Sequence, residues 1–261
     1  MKLALIQMNP QWESIPANCE TAQRFIEQAS DENCDAVIFP EMFNTGFSMN
    51  TKATAEKKTG LTLSMLPAMA KKHSINIIAG LAFRASKKTV FNKALAYNRK
   101  GCLTADYAKM NLFSYAREDR FFTPGRKPVL FKLDKTPCSI FICYDLRFPQ
   151  IFKPVAKKAE MIIVIASWPS ERKDHWQALL KARAIENQCF MIGVNRTGSD
   201  GNGIHYPGMS LIFDPEGKCL ASGNEKETYL TCEINPYQTG FIRRKIPFLR
   251  DNPRLINLLD Q

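Results

Sequence analysis

"SIFICYDLRFP" (residues 139–149) is an apolar run that stops at a Cys-Tyr-Asp and at once meets an arginine and a proline. It reads as a buried strand that carries Cys143 to the point where the chain turns outward, the place where α/β sheets tend to hold their functional groups. On either side, strand and helix patterns nearly alternate. KLALIQM (2–8), DAVIFP (35–40), INIIAGLAF (75–83), MIIVIASW (161–168) and CFMIGVNR (189–196) read as strands. KALAYN (93–98) and LTADYAK (103–109) are shorter strand candidates around the turn RKG. CETAQRFIEQAS (19–30), LSMLPAMAKKHS (63–74), FPQIFKPVAKKA (148–159) and HWQALLKARAIENQ (175–188) carry helical patterns, the last being the clearest. MSLIFDPEGKCLAS (209–222) reads as a hairpin, with TYLTCEI (228–234) as a final strand. Such interleaving predicts a layered α/β protein, two sheets face to face with helices outside.

The chain has 261 residues and 45% hydrophobic content, enough for a large core without disulfides or metals. No linker-like stretch divides it, so residues 1–261 are read as a single domain, with a tail from about 236 reaching toward an oligomer interface. Eight cysteines show no CxxC pair and no Cys/His ligand spacing, which argues against structural zinc; seven are read as small buried hydrophobes in a reducing compartment. The first residues, MKLALIQMNPQW, turn polar too soon for a signal sequence, and no apolar run approaches the roughly 18 residues of a membrane span. These features point to a cytoplasmic protein with no membrane association. The net charge of +11 is dispersed in small groups without interleaved aromatics, so it reads as solvated surface rather than a nucleic-acid site.

Several strand ends carry an unexpected polar residue: Glu41 after AVIFP, Lys109 after LTADYA, Cys143 after SIFI, and Trp168 after IIVIAS. Each has an ordinary explanation alone. Together they form a workable hydrolytic set. A thiol nucleophile needs a base, an acid for the leaving amine, and donors for the oxyanion. Glu41, flanked by Phe39, Pro40, Met42 and Phe43, reads as a carboxylate in an apolar setting that raises its pKa and suits it to both proton transfers. A nearby lysine favours thiolate and oxyanion. The rival is a Cys–His pair using His175 or His205, but no signature of such proteases surrounds Cys143.

FPEMFNTGF (39–47), YAKMNLF (107–113) and CYDLRFP (143–149) together resemble the nitrilase superfamily of carbon–nitrogen hydrolases. SWPSERKDHWQALLKARAIENQ (167–188) and GVNRTGSDGNGIHYPGMSLIFDPEG (193–217) extend the likeness, which runs in order over about residues 2–235. The resemblance implies a four-layer α-β-β-α sandwich, assembly into dimers or larger oligomers, and no metal or organic cofactor. It implies Cys143 as nucleophile, Glu41 as general base, Lys109 as oxyanion stabiliser, and Glu118 as a second glutamate beside the lysine. Two positions depart from the family's pattern: Ala108 replaces a basic residue and Asn111 a histidine, while Leu112 and Phe113 remain. Within the superfamily the chain looks most like the ω-amidase branch, which implies a small 2-oxo acid amide, 2-oxoglutaramate or 2-oxosuccinamate, as substrate. A cation must then receive the substrate carboxylate, and Arg147 fits because a guanidinium binds carboxylate bidentately. The alternative for Arg147 is an ion pair with Asp145. Tyr144 and Trp168 are read as pocket wall or as backbone oxyanion donors. A nitrilase, carbamoylase or neutral amidase of the same superfamily is the competing reading.

Overall fold

The computed structural model describes residues 1–251. Fourteen strands are found among them: β1 Lys2–Gln7, β2 Ala36–Ile38, β3 Asn76–Arg84, β4 Val90–Tyr97, β5 Leu103–Ala108, β6 Leu130–Leu133, β7 Thr136–Ile142, β8 Met161–Ala166, β9 Phe190–Asn195, β10 Thr197–Ser199, β11 His205–Pro207, β12 Leu211–Phe213, β13 Cys219–Ser222 and β14 Thr228–Glu233. One six-stranded sheet runs β14-β1-β2-β3-β4-β5 and a second runs β13-β12-β9-β8-β7-β6, while β10 and β11 form a separate hairpin. Pairing is parallel through β1-β2-β3 and through β7-β8-β9.

The alternation of side chains along the first sheet explains its position between two layers. Leu3, Leu5, Ile38, Ile78, Ala94 and Ala96 point toward the second sheet, where they meet Ile140, Ile142, Ile163 and Ile165 in one core. Ala4, Ile6, Val37, Ile77, Ala79 and Leu95 point the other way, into a core closed by two helices. Helix Ile15–Asp31 buries Cys19, Ala22, Ile26 and Ala29; helix Leu61–Lys72 buries Met65, Leu66 and Met69 and tolerates Pro67. Helix Lys173–Asn187 covers the outer face of the second sheet with Trp176, Leu180 and Ala184, each four residues from the next. Gly193 of β9 permits this approach, since a Cβ there would lie 2.3 Å from Leu180 Cδ1. The architecture is the expected α-β-β-α sandwich.

Several local expectations fail for identifiable reasons. The helix expected over 148–159 is broken into the single turns Pro149–Ile151 and Lys153–Ala156, because Pro154, inside the expected helix, has no N–H to continue the ladder, whereas Pro149 only opens the first turn. The strand expected to carry Cys143 ends one residue before it, at Ile142, and the thiol opens the turn that follows. The tail contains a helix, Tyr237–Lys245, and its remaining portion, 252–261, lies outside the described residues. Cys102 and Cys219 are exposed rather than buried, one beside the turn that follows β4 and the other on the edge strand β13.

Gly80 of β3 faces the second sheet at its tightest point. A Cβ there would lie 2.7 Å from Ile165 Cδ1, 2.8 Å from Glu41 Cα and 2.9 Å from Pro40 O. Gly80→Ala is therefore expected to destabilise the fold by about 1–3 kcal/mol through overpacking, read as a lower urea midpoint. An unchanged midpoint would show that the sheets do not approach so closely.

Candidate active site

Four strands end at one rim, two from each sheet. β2 leads through Phe39 and Pro40 to Glu41, β5 leads directly to Lys109, β7 to Cys143, and β8 to Ser167 and Trp168. The side chains of Glu41, Lys109 and Glu118 are fully buried. Lys109 Nζ donates to Glu41 Oε1 at 2.9 Å and to Glu118 Oε2 and Oε1 at 2.8 and 3.1 Å. Asn92 Nδ2 donates to Glu41 Oε1 at 2.7 Å and to Glu118 Oε1 at 2.8 Å, bridging the two carboxylates. Backbone donors complete the set: Ser167 N to Glu41 Oε2 at 2.9 Å and Phe113 N to Glu118 Oε2 at 2.7 Å. Burial opposes the ammonium's charge, but Glu118 and Glu41 outweigh it and hold the Lys109 pKa above its ordinary value.

Cys143 opens a single-turn helix, Cys143–Arg147, with φ at 46°. A non-glycine residue in this left-handed region carries backbone strain, and here the strain turns the thiol out of the strand line. Cys143 Sγ lies 3.8 Å from Ser167 O. Burial and the Glu41 charge push its pKa well above the usual thiol value, against a smaller opposing pull from Lys109. These surroundings favour the thiol over the thiolate.

The turn is fixed from beneath by buried Asp145. Its Oδ2 accepts from Tyr107 Oη at 2.7 Å and Ile142 N at 3.1 Å; its Oδ1 accepts from both Asn111 N and Asn111 Nδ2 at 2.9 Å. Asn111, one of the two departures from the family's pattern, therefore ties the segment after Lys109 to the Cys143 turn. Asp145 is fully engaged by these donors, and Arg147 makes no ion pair with it. Instead the Arg147 guanidinium lies over the Trp168 ring, 4.8 Å from its centroid.

These residues line a cavity of about 520 Å³. Lys109, Cys143 and Ser167 form its floor, and Phe113, Tyr144, Arg147, Trp168, Asp200 and Tyr206 belong to its walls. Tyr144 packs between Phe113 and Phe148, with centroids 4.9 and 5.1 Å away. Tyr206 Oη is hydrogen-bonded to Asp200 Oδ2 at 2.9 Å. The model for carbon–nitrogen hydrolases matches residues 2–244.

The chain belongs to the carbon–nitrogen hydrolase family. It is 36% identical to the 2-oxoglutaramate amidase of Bacillus subtilis, over 90% of both chains. It is 32% identical to the omega-amidase YafV of Escherichia coli K12, over 96% of both. Among solved structures it resembles the CN-hydrolase superfamily protein XC1258 of Xanthomonas campestris, with a TM-score of 0.92, 29% identity and 98% coverage of each chain.

In this carbon–nitrogen hydrolase all seven residues singled out from the sequence converge on one site: Glu41, Lys109, Glu118 and Cys143 at its base, Tyr144, Arg147 and Trp168 on its walls. Two expectations about them need correction. Glu41 does not sit among its apolar neighbours; Phe39 and Phe43 belong to the core beneath the helices, while the carboxylate meets Lys109, Asn92 and Ser167 N. Trp168 N is not free for an oxyanion, because it donates to Asn195 Oδ1 at 2.7 Å. Among the described residues no histidine hydrogen-bonds Cys143: His175 meets Arg147 and His205 meets Ser199 Oγ. Asn92 was missed by sequence reasoning. Its place on β4, in step with the inward-facing Ala94 and Ala96, was the available signal.

One buried ammonium is the shared counter-ion of two buried carboxylates, so removing it leaves both uncompensated. Lys109→Met is expected to cost about 3–5 kcal/mol of stability. Adding Glu118→Gln should recover a substantial part of this loss, because one of the two charges is removed. Urea denaturation of the single and double variants measures both, and a double variant no more stable than the single would contradict the shared counter-ion.

Proposed function

We propose that the protein is a thiol amidohydrolase of the ω-amidase kind. It would hydrolyse the terminal amide of 2-oxo dicarboxylic acid monoamides, 2-oxoglutaramate or 2-oxosuccinamate, to the 2-oxo acid and ammonia. The observation that carries this reading is Arg147: a guanidinium that lines the same cavity as Cys143 and has no carboxylate partner among the described residues. The names of the Bacillus and Escherichia relatives support the same substrate class.

In this mechanism Glu41 takes the Cys143 proton as Sγ attacks the amide carbon. The oxyanion is held by Lys109 Nζ and by the Tyr144 N–H, which lies in the first turn of the helix Cys143–Arg147 and has no intrahelical acceptor. Glu41 returns the proton to the nitrogen, ammonia departs, and a thioester remains. Glu41 then takes a proton from water, whose oxygen attacks the thioester; collapse expels the sulfur, which regains the proton. Glu118 and Asn92 keep Lys109 and Glu41 in register throughout.

We place this activity in a single domain, in the cytoplasm, as a homodimer. Eight unpaired cysteines suit a reducing setting. No helix of the described residues is long and apolar enough to cross a membrane. Tyr237 and Phe241, four residues apart on the helix Tyr237–Lys245, are 77% and 60% exposed and offer a face for a second copy. Phe241→Glu should then shift the mass seen by light scattering from dimer to monomer; a monomeric parent protein would refute the assembly.

Cys143→Ala and Glu41→Gln are each expected to reduce ammonia release from 2-oxoglutaramate on the order of a thousandfold or more, with the circular dichroism spectrum unchanged. Substantial turnover by Cys143→Ala would overturn the thiol mechanism. Arg147→Ala should raise the KM for 2-oxoglutaramate about tenfold or more. Preferred turnover of a nitrile, a carbamoyl amino acid or a neutral aliphatic amide by the parent protein would redirect the assignment to another branch.

A further inference from the structure

Arg147 leaves the Cys143 turn on a long, flexible side chain, and among the described residues neither Asp145 nor any other carboxylate holds it. Two neutral groups do. The indole of Trp168 lies beneath the guanidinium at 4.8 Å, and Trp168 is itself fixed, with Nε1 donating to Arg172 O at 2.7 Å and N to Asn195 Oδ1. At the guanidinium edge, Arg147 Nη2 lies 3.3 Å from His175 Nδ1. A guanidinium can only donate, so Nδ1 is the acceptor in this contact and the ring proton resides on Nε2. His175 occupies the first turn of the helix Lys173–Asn187, whose Trp176 and Leu180 are packed into the core. The acceptor therefore stands on a rigid element.

We infer that His175 is a positioning residue for the substrate carboxylate: as a neutral acceptor on the edge of Arg147, it holds the guanidinium toward the cavity without cancelling its charge. An aspartate or glutamate at this place would fix the arginine equally well and neutralise it. The histidine gives orientation and leaves the full positive charge for an anionic ligand. Ordering a flexible arginine beforehand removes part of the entropic cost of binding. The histidine considered from the sequence as a rival base for Cys143 thus serves the other end of the substrate. This inference rests on the reading of Arg147 as the carboxylate receptor.

The test uses the intact protein with His175→Phe, His175→Asn and Arg147→Ala. His175→Phe keeps a ring but lacks the acceptor, whereas the Asn side-chain oxygen can take the place of Nδ1. For His175→Phe we expect the KM for 2-oxoglutaramate and the inhibition constant of the product 2-oxoglutarate to rise together, by about five- to tenfold. Its kcat should stay within about twofold of the parent value, and its inactivation by neutral iodoacetamide should be unchanged. His175→Asn should recover most of the lost affinity. Unaltered anion affinity in His175→Phe, with weakened affinity in Arg147→Ala, would overturn the role of His175 and leave the proposed function standing. Unaltered affinity in Arg147→Ala would remove the carboxylate receptor and this inference with it. A fall in kcat and slower iodoacetamide inactivation in His175→Phe would mark a scaffold role and also overturn it.

Discussion

Lys109 is an ammonium with no contact to solvent, and it persists only because Glu41 and Glu118 surround it. Taking one cation and two carboxylates from water is costly, and each attraction compensates only if every remaining lone pair and proton finds a partner. Asn92, Ser167 N and Phe113 N are those partners. Each comes from a different segment: Asn92 from β4, Ser167 from the end of β8 in the opposite sheet, Phe113 from the segment after β5. The charge cluster therefore constrains how the two sheets register against each other.

The opposite sheet answers this constraint through Cys143 and Asp145. β7 can present its thiol to the cluster only if the backbone leaves the strand line, which requires the left-handed conformation at Cys143. Such strain persists where surrounding contacts over-determine it. Asp145 supplies them, collecting donors from β5, from the segment after Lys109, and from its own strand end. One buried carboxylate thus locks the lysine-bearing and cysteine-bearing segments together, so the distance between base, cation and thiol is a property of the core rather than of mobile loops.

What was legible in the sequence follows the same physics. Glu41, Lys109 and Cys143 each terminate an apolar strand, and a charged or reactive residue at that position is conspicuous against its neighbours. Asn92 lies mid-strand between Phe91 and Lys93, where only the side-chain parity of the correctly registered sheet reveals that it faces inward. Linear neighbourhood misled for Glu41, because β2 ends at Ile38 and the chain turns beyond it, so the carboxylate leaves the face on which Phe39 and Phe43 serve another core. The layers were legible from periodicity. The break over 148–159 depended on Pro154, whose effect a mainly apolar pattern concealed, and the αL turn at Cys143 left no compositional trace because no glycine marks it.

The distribution of cations explains why an anionic substrate would be sorted by Arg147 rather than by Lys109. Lys109 is saturated by two carboxylates and can offer a ligand only short-range donation to a developing oxyanion. Arg172, also on the cavity wall, leans on Glu171 at 3.3 Å. Asp200 is occupied by Tyr206 and by the N–H groups of Asn202 and Ile204. Among the cavity's described cations Arg147 alone has no carboxylate partner, so no ion pair offsets the charge it presents to a ligand. A ligand with a carboxylate at one end and an amide at the other then has a single favourable orientation: carboxylate on the tryptophan-backed arginine, amide over the thiol. Reversing it would place the carboxylate against a cluster that already holds two carboxylates to one ammonium, where Glu41 and Glu118 would repel it. Under the proposed function, polarity of binding would arise from where negative charge already lies inside the fold, and Lys109 would serve the chemistry without choosing the substrate.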